Sequence, residues 1–221
     1  MLKIKNNTDP VWILSNPRVG STYLMTMLNC SVYHKHIGNK ELDYYQPIFS
    51  PHFREHFINM EKTPYHPYYN KIHAVQFLEC VDYVVEDFLP EIKYIRIKRS
   101  DYESIAVSHY LARTLDEFVV FNGKHPDTSI VSYNEGCIEG LYRKSIEWDK
   151  IWDDYLIARE SLDIEYEELV ESPRDLVDKV MNYVGHQGDY SLSLKDNNHI
   201  VTKMFHPQKQ EFVDRLRESH K

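Results

Sequence analysis

A short glycine loop between a predicted strand and a predicted helix is the feature that most constrains the fold of this chain. Residues 11–14 form an apolar run typical of a buried strand, the run is interrupted at Asn16-Pro17, and helical spacing of apolar residues starts at Leu24. The first N–H groups of a helix lack partners within the helix and carry the positive end of its dipole, so they attract anions. The segment therefore predicts a cradle for a phosphate or a sulfate ester.

This loop differs from the Walker A and Rossmann loops that bind nucleotides in many proteins. A Walker A loop has the pattern G-x-x-x-x-G-K-[ST], whereas here the spacing is shorter and no lysine precedes Ser21. A Rossmann fingerprint needs several glycines, and this loop has only Gly20. The alternative to an anion site is a plain strand–turn–helix in which Ser21 or Thr22 caps the helix.

A second segment places an arginine at the end of another predicted strand. Residues 92–98 alternate apolar and basic side chains, which indicates a strand, and Arg99 follows it directly. A helix is predicted over residues 101–115 with Ser100 or Asp101 as its N-cap, and Ser108 shares a face with apolar residues of that helix.

Arg99 and Ser108 are predicted to bind a second phosphate. In open α/β sheets, ligands bind beyond the carboxyl ends of the strands, which is where this arginine stands. The guanidinium fork also matches the spacing of phosphate oxygens. The alternative is a surface arginine and an ordinary helix serine.

Taken together, these segments resemble the sulfotransferase superfamily, whose members use 3′-phosphoadenosine 5′-phosphosulfate (PAPS) as donor and release 3′-phosphoadenosine 5′-phosphate (PAP). Arg99 and Ser108 are similar to the 3′-phosphate site of that family. Their spacing resembles the bacterial glycolipid and trehalose branch and is one residue longer than in the animal cytosolic enzymes. Weaker similarity extends over most of the chain. The residues that match the 5′-phosphosulfate loop are Pro17, Arg18, Val19, Gly20, Ser21 and Thr22.

The resemblance implies how the donor is bound. The loop N–H groups and Arg18 would hold the 5′-phosphosulfate and stabilise its charge during transfer, while Ser21 and Thr22 would donate hydrogen bonds to its oxygens. Lys203 stands where the bacterial branch has an arginine in its C-terminal donor-binding segment, and it keeps the charge without the fork. The family's mechanism implies no metal site.

A general base must take the proton from the acceptor hydroxyl, and the sequence offers several. The bacterial branch uses a glutamate soon after the first helix, which implies Glu41 or, with the alignment shifted, Asp43. The cytosolic enzymes use the histidine of a Lys-x-His on the following strand, which implies His73 as base and Lys71 as a stabiliser of charge on the moving group. The alternatives are a strand histidine in a polar pocket and a solvated lysine at a strand end.

The predicted strands and helices alternate along the chain, which predicts a parallel sheet wrapped by helices. With the resemblance, we expect an α/β, P-loop-like three-layer fold with a central parallel sheet flanked by helices, formed as a single domain over residues 1–221. The apolar stripe of the helix over residues 134–158 is expected in the core. The predicted strands are 11–15, 71–77, 92–98 and 162–166; the predicted helices are 21–30, 51–60, 79–88, 101–115, 134–158, 173–184 and 207–218; and residues 121–133 and 186–200 are predicted loops.

The composition excludes some classes of function. A formal net charge of −8 argues against general nucleic-acid binding. The positive charge that an anionic donor needs must then be local. The absence of an apolar run of about 18 residues predicts no membrane insertion, and the polar N-terminus is unlike a signal peptide. The three widely spaced cysteines predict buried free thiols and a cytoplasmic protein. The basic residues expected to converge on the donor are Arg18, Lys71, Arg96, Lys98 and Arg99.

The acceptor and the alternatives follow from weaker signals. Residues 42–70 are rich in aromatic side chains, whose faces bind sugar rings and apolar molecules, so a carbohydrate or small-molecule acceptor is expected. A loop packed over the sheet edge explains the same composition.

The resemblance also implies a homodimer, since relatives often dimerise. Other functions to test are a P-loop-like nucleotide kinase, although a loop lysine and a Walker B aspartate are missing, and a non-catalytic nucleotide-binding protein.

Overall fold

A computed structural model describes residues 11–28, 69–74, 77, 92–118, 120–121, 130–185, 201–202 and 206–221. Within these ranges, four strands form a parallel sheet in the order β2-β1-β3-β5, and β4 and β6 form a small antiparallel pair. The strands are β1 Val11–Ser15, β2 Tyr69–His73, β3 Lys93–Lys98, β4 Val120–Phe121, β5 Ser161–Glu165 and β6 Val201–Thr202. The helices are α1 Ser21–Met27, α2 Tyr102–Thr114, α3 Glu135–Leu156, α4 Tyr166–Glu171, α5 Pro173–Val184 and α6 Lys209–Ser219.

Helices cover both faces of this sheet, because its strands are apolar on both sides. On one face, Ile13 and Ile95 belong to the same core cluster as Val180 of α5. On the other face, Trp12 packs with Trp152 of α3. A strand buried on both faces reads as a continuous apolar run, as residues 11–14 do. The predicted α/β fold, a central parallel sheet flanked by helices, is therefore confirmed.

The register of the sheet brings the strand ends of interest to one edge. Ser15, the last residue of β1, lies opposite His73 at the end of β2 and opposite Ile97 near the end of β3. The loop after β1, the end of β2 and Arg99 after β3 therefore share the carboxyl edge of the sheet, where α/β proteins bind their ligands.

Several predicted boundaries are wrong. Strand β2 ends at His73 rather than at residue 77, because the chain becomes helical at Ala74. Helix α4 has no predicted counterpart, because Tyr166 falls at the end of the predicted strand 162–166 and residues 167–171 lie between predicted elements. The predicted loop over residues 121–133 contributes Phe121 to strand β4, which pairs with β6. Short segments carry little periodic signal, so tertiary pairing decides their structure.

The longer helices follow the predicted pattern. Of the apolar stripe of α3, Ile138, Leu141, Trp148 and Trp152 are buried. The N-cap of α2 is Asp101, whose side chain accepts a hydrogen bond of 3.1 Å from the Ser104 N–H. Gly185 ends α5 in the left-handed conformation, with a φ of 74°. The helices predicted over residues 51–60 and 79–88 lie outside the described residues.

Candidate functional site

The loop between β1 and α1 is a tight turn held by unusual backbone angles. Arg18 has a φ of 71° and Gly20 a φ of 83°, both in the left-handed region. Glycine adopts this region freely, whereas a side chain makes it costly, so contacts elsewhere must hold Arg18 in place. Left-handed residues in such loops turn backbone N–H groups toward one concave side, which suits an anion.

Helix α4 packs closely on the loop at Gly20. A Cβ atom at this position would lie 3.0 Å from Leu169 Cδ2 and 3.1 Å from Tyr166 Cδ2. Those distances are shorter than normal carbon contacts, so only glycine fits between the loop and α4.

Hydrogen bonds join the two segments that the sequence analysis assigned to anion binding. Arg18 Nε donates to Ser108 Oγ at 3.0 Å, across 90 residues of sequence. Arg99 Nη1 donates to the Arg18 carbonyl oxygen at 3.2 Å. Arg18 Nη1 also donates to the carbonyl oxygen of Phe118. The structure therefore brings Arg18, Arg99 and Ser108 together, and these bonds hold the strained backbone of Arg18.

Arg99 is buried and partly unsatisfied. Arg99 is 8% exposed, and its Nε atom has no hydrogen-bond partner in the described part of the chain. Its guanidinium carbon lies 4.2 Å from the centre of the Tyr166 ring, a cation–π contact. A buried guanidinium with a donor left over is suited to an anionic ligand, since an unpaired buried donor is costly.

Lys71 and Thr22 meet at the start of α1. Lys71 stands on β2 opposite Ile13, and its Nζ donates to Thr22 Oγ1 at 3.1 Å. Ser21, the first residue of α1, is buried. The Lys71 ammonium group, the start of α1 and the loop between β1 and α1 therefore lie together at the carboxyl edge of the sheet.

His73 is a neutral histidine at the same edge. Its Nδ1 lies 3.0 Å from Ser15 Oγ and 3.3 Å from the Ser15 carbonyl oxygen. Burial first, and then the charge of Lys71, lower the pKa of His73 to about 3. A carbonyl oxygen only accepts, so the contact at 3.3 Å is a hydrogen bond in the tautomer that carries its proton on Nδ1. In that tautomer Nε2 holds the lone pair, which is the form a base requires.

The expected convergence of five basic residues is only partly correct. Arg96 is buried and pairs with two carboxylates of α3, Asp149 at 3.4 Å and Asp153. Lys98 pairs with Asp163 of β5. Arg96 and Lys98 are two residues apart on β3 and so share one face of the sheet, where each is held by a carboxylate. The remaining cations are those already described at the loop.

Other contacts at the site were not found from the sequence. Tyr166 follows β5 directly, so the strand-end rule that identified Arg99 also applies to it. Asp149, which accepts hydrogen bonds beside the loop, is hidden within the apolar stripe of α3. The Phe118 carbonyl and the buried His109, whose pKa burial lowers to about 4, have no sequence signal of a site.

Some predicted residues lie outside the described part of the chain. These are Glu41, Asp43 and Lys203. Among the described residues, no group of three or more His, Cys, Asp or Glu is placed to hold a metal ion. No helix in the same ranges has the length and apolar character needed to cross a membrane. Cys137 is a free thiol but is exposed, so the expectation that the cysteines are buried is wrong for this one.

Comparisons with known proteins identify the fold. The sequence matches no family model and no curated protein. A sulfotransferase structure from Alicyclobacillus acidocaldarius matches with a TM-score of 0.53 at 15% identity, over 97% of this chain and 96% of that one. A mouse sulfotransferase complexed with PAP matches with a TM-score of 0.51 at 15% identity, over 94% and 83% of the two chains. The chain therefore has the fold of the sulfotransferases, as the resemblance of its motifs predicted.

Proposed function

We propose that the protein is a sulfotransferase that moves a sulfuryl group from PAPS to a hydroxyl group of a carbohydrate or small-molecule acceptor and releases PAP. The observation that carries this proposal is the contact of Arg18 with Ser108 and Arg99. It unites a loop suited to one anion with an arginine–serine pair suited to another, at the carboxyl edge of a parallel sheet. PAPS carries its phosphosulfate and its 3′-phosphate on one nucleoside, so it needs adjacent anion sites.

The donor would be held at both ends. At the 5′ end, the loop N–H groups, Arg18, Ser21 and Thr22 contact the phosphosulfate. At the 3′ end, Arg99 and Ser108 contact the phosphate, and the unpaired Arg99 Nε supplies a donor for it. Lys203 is proposed as a further contact with the donor. The mouse sulfotransferase with the same fold is complexed with PAP, which supports this choice of ligand.

Transfer of the sulfuryl group would depend on position and charge. The acceptor oxygen forms a bond to sulfur, the bond from sulfur to the 5′-phosphate oxygen breaks, and the acceptor proton passes to a base. By analogy with phosphoryl transfer, the protein contributes orientation and stabilises charge on the moving group. Lys71 and Arg18 are proposed to stabilise the charge on the moving group. Lys71 Nζ lies 3.1 Å from Thr22 Oγ1 at the start of α1, and Arg18 belongs to the loop that precedes this helix.

The base is proposed to be Glu41 or Asp43, as in the bacterial branch, or His73. For His73, the neutral ring and the lone pair on Nε2 support the role, whereas its low pKa makes it a weak base. The variants Glu41→Gln, Asp43→Asn and His73→Asn separate these residues. Only the variant that lacks the base loses turnover while it still binds PAP.

Calorimetric titration with PAP, ATP and AMP tests the proposal before any acceptor is known. Micromolar binding of PAP, with much weaker binding of ATP and AMP, is expected because only PAP carries a 3′-phosphate. Preference for ATP would overturn the proposal in favour of a nucleotide kinase. Failure to bind any of the three would also overturn it, because a sulfotransferase must hold its donor.

A further inference from the structure

A buried carboxylate on α3 connects parts of the site that are far apart in sequence. Asp149 Oδ1 accepts a hydrogen bond of 2.9 Å from Asn16 Nδ2 and lies 3.4 Å from Arg96 Nη2. Its other oxygen, Oδ2, accepts a hydrogen bond of 2.6 Å from the Tyr102 hydroxyl. Each carboxylate oxygen is therefore bonded to a different segment of the chain.

Those segments carry the two halves of the proposed donor site. Asn16 follows β1 and directly precedes the loop of residues 17–20. Tyr102 is the first residue of α2, three positions after Arg99 and six before Ser108. The segment that starts the loop and the segment that carries the arginine–serine pair are thus attached to the same carboxylate, from the side of α3.

Charge compensation alone does not explain this arrangement. A buried carboxylate is costly unless it is paired, and Arg96 supplies a pairing charge. Arg96, however, also pairs with Asp153, which is one turn further along α3 and 62% exposed at its side chain. Asp153 could neutralise the arginine from the surface without burial. What distinguishes Asp149 is its pair of bonds to Asn16 and Tyr102.

The spacing of the two anion sites matters for the proposed donor. PAP carries its 5′-phosphate and 3′-phosphate on one ribose, so the distance between them is nearly fixed. A protein binds both groups at full strength only if its own sites have the matching separation, and small misplacements weaken such binding strongly. AMP has only the 5′-phosphate, so its binding to the loop does not depend on the distance between the loop and Arg99.

We propose that Asp149 is a positioning residue that sets the separation between the loop and the Arg99–Ser108 pair, an inference that rests on the proposed function. Asp149 itself contacts no donor in this scheme. It acts by holding Asn16 with one oxygen and Tyr102 with the other. Its loss should therefore reduce the preference for PAP over AMP rather than remove anion binding.

The test is the ratio of PAP to AMP affinity in the full chain with Asp149→Asn. Asparagine has the same shape but no charge, and its amide nitrogen must face either the Asn16 amide, where the bond is lost, or the Tyr102 hydroxyl, which must then accept instead of donate. In both cases the remaining bonds lose the charge that strengthens them. We expect PAP binding to weaken about tenfold. AMP binding should change by less than about twofold, because the loop that binds the 5′-phosphate keeps its backbone conformation. A residue with only a structural role would lower the melting temperature and leave this ratio unchanged.

Two further variants keep the test decisive. Asp153→Asn is the matched control, because it makes the same change on the same helix and against the same Arg96, without contact to Asn16 or Tyr102. It should leave the ratio unchanged. Tyr102→Phe removes only the hydroxyl group and keeps the charge of Asp149, so it tests the link even if Asp149→Asn does not fold. It should weaken PAP binding about threefold and spare AMP.

The outcomes separate this inference from the proposed function. If the unmodified protein prefers PAP and both Asp149→Asn and Tyr102→Phe lower that preference, the positioning role is supported. If the unmodified protein prefers PAP and these variants bind PAP and AMP as it does, the positioning role is wrong and the proposed function stands. If the unmodified protein does not prefer PAP, the proposed function fails and this inference fails with it.

Discussion

The guanidinium carbon of Arg99 lies 4.2 Å from the centre of the Tyr166 ring, and the edge of the same ring lies against the loop at Gly20. A residue that follows β5 thus supports both the arginine after β3 and the loop after β1. The aromatic face fixes the plane of the guanidinium group, and a fixed plane favours two-point contact with a phosphate.

Arg99→Ala should weaken PAP binding by about 2 to 4 kcal/mol, because charge-assisted bonds to the 3′-phosphate are lost. AMP lacks that phosphate, so its binding should fall far less, through the lost bond from Arg99 to the Arg18 carbonyl alone. Titration of both ligands into the variant and the unmodified protein measures the difference. Arg143→Ala is a suitable control, since the side chain of Arg143 is 72% exposed and pairs only with its helix neighbour Glu139 among the described contacts. Unchanged PAP affinity in Arg99→Ala would refute the assigned role.

Tyr166→Leu should weaken PAP binding about twofold to thirtyfold, since a cation–π contact contributes about 0.5 to 2 kcal/mol to holding the arginine. Tyr166→Phe keeps the ring and should bind PAP almost as well as the unmodified protein. The comparison needs dissociation constants together with melting temperatures, so that loss of fold is not mistaken for loss of affinity. Equal losses in the leucine and phenylalanine variants would show that the ring face is not what Arg99 needs.

Much of this site was predictable because its signals are local. The strand, loop and first turn of α1 are continuous in sequence, and Arg99 directly follows a strand of alternating character. Ser108 shares a face of its helix with apolar residues that are buried, among them Ile105 and Ala112. In each case the residue's position in its own element determines which edge or face it occupies.

The remainder of the site depends on contacts between distant segments. The Phe118 carbonyl bonds to Arg18 across 100 residues, and Asp149 bonds to Asn16 across 133. A backbone carbonyl carries no sequence signal, and a carboxylate on the edge of an apolar helix stripe is indistinguishable from a solvated one. The end of β2 was placed too late because a short apolar run fits a strand and a helix equally well.

Gly20→Ala should lower the free energy of unfolding by about 2 to 4 kcal/mol, because it adds left-handed strain to a clash with α4. Its φ is 83°, and the new Cβ would lie 3.0 Å from Leu169 Cδ2. Gly140→Ala makes the same change in α3, where a Cβ meets nothing within 4 Å. That control should stabilise the protein by about 0.5 to 1 kcal/mol, because alanine favours helix. Urea denaturation measures both, and equal effects would contradict the close packing of the loop against α4.

Stability should fall as the pH is lowered below about 6.5, because two histidines are buried in the neutral form. Burial is the main reason that the pKa of His73 falls to about 3 and that of His109 to about 4. Between those values and about 6.5 the unfolded chain binds protons that the folded chain does not, so each histidine destabilises the fold by up to about 1.4 kcal/mol per pH unit. Above about pH 7.5 neither histidine is charged to a significant extent in either state, and this dependence disappears.

His109→Phe isolates the effect, since a phenylalanine ring keeps the contacts with Phe118 and Trp148 but cannot be protonated. Urea denaturation at intervals from pH 7.5 to 5 should give a shallower fall for this variant than for the unmodified protein, and carboxylates that titrate in the same range cancel in the comparison. His73→Asn should flatten the curve in the same direction. Parallel curves for the unmodified protein and both variants would mean that both rings bind protons as readily in the folded chain as in the unfolded one. That result would contradict the prediction that the two histidines are buried in the neutral form.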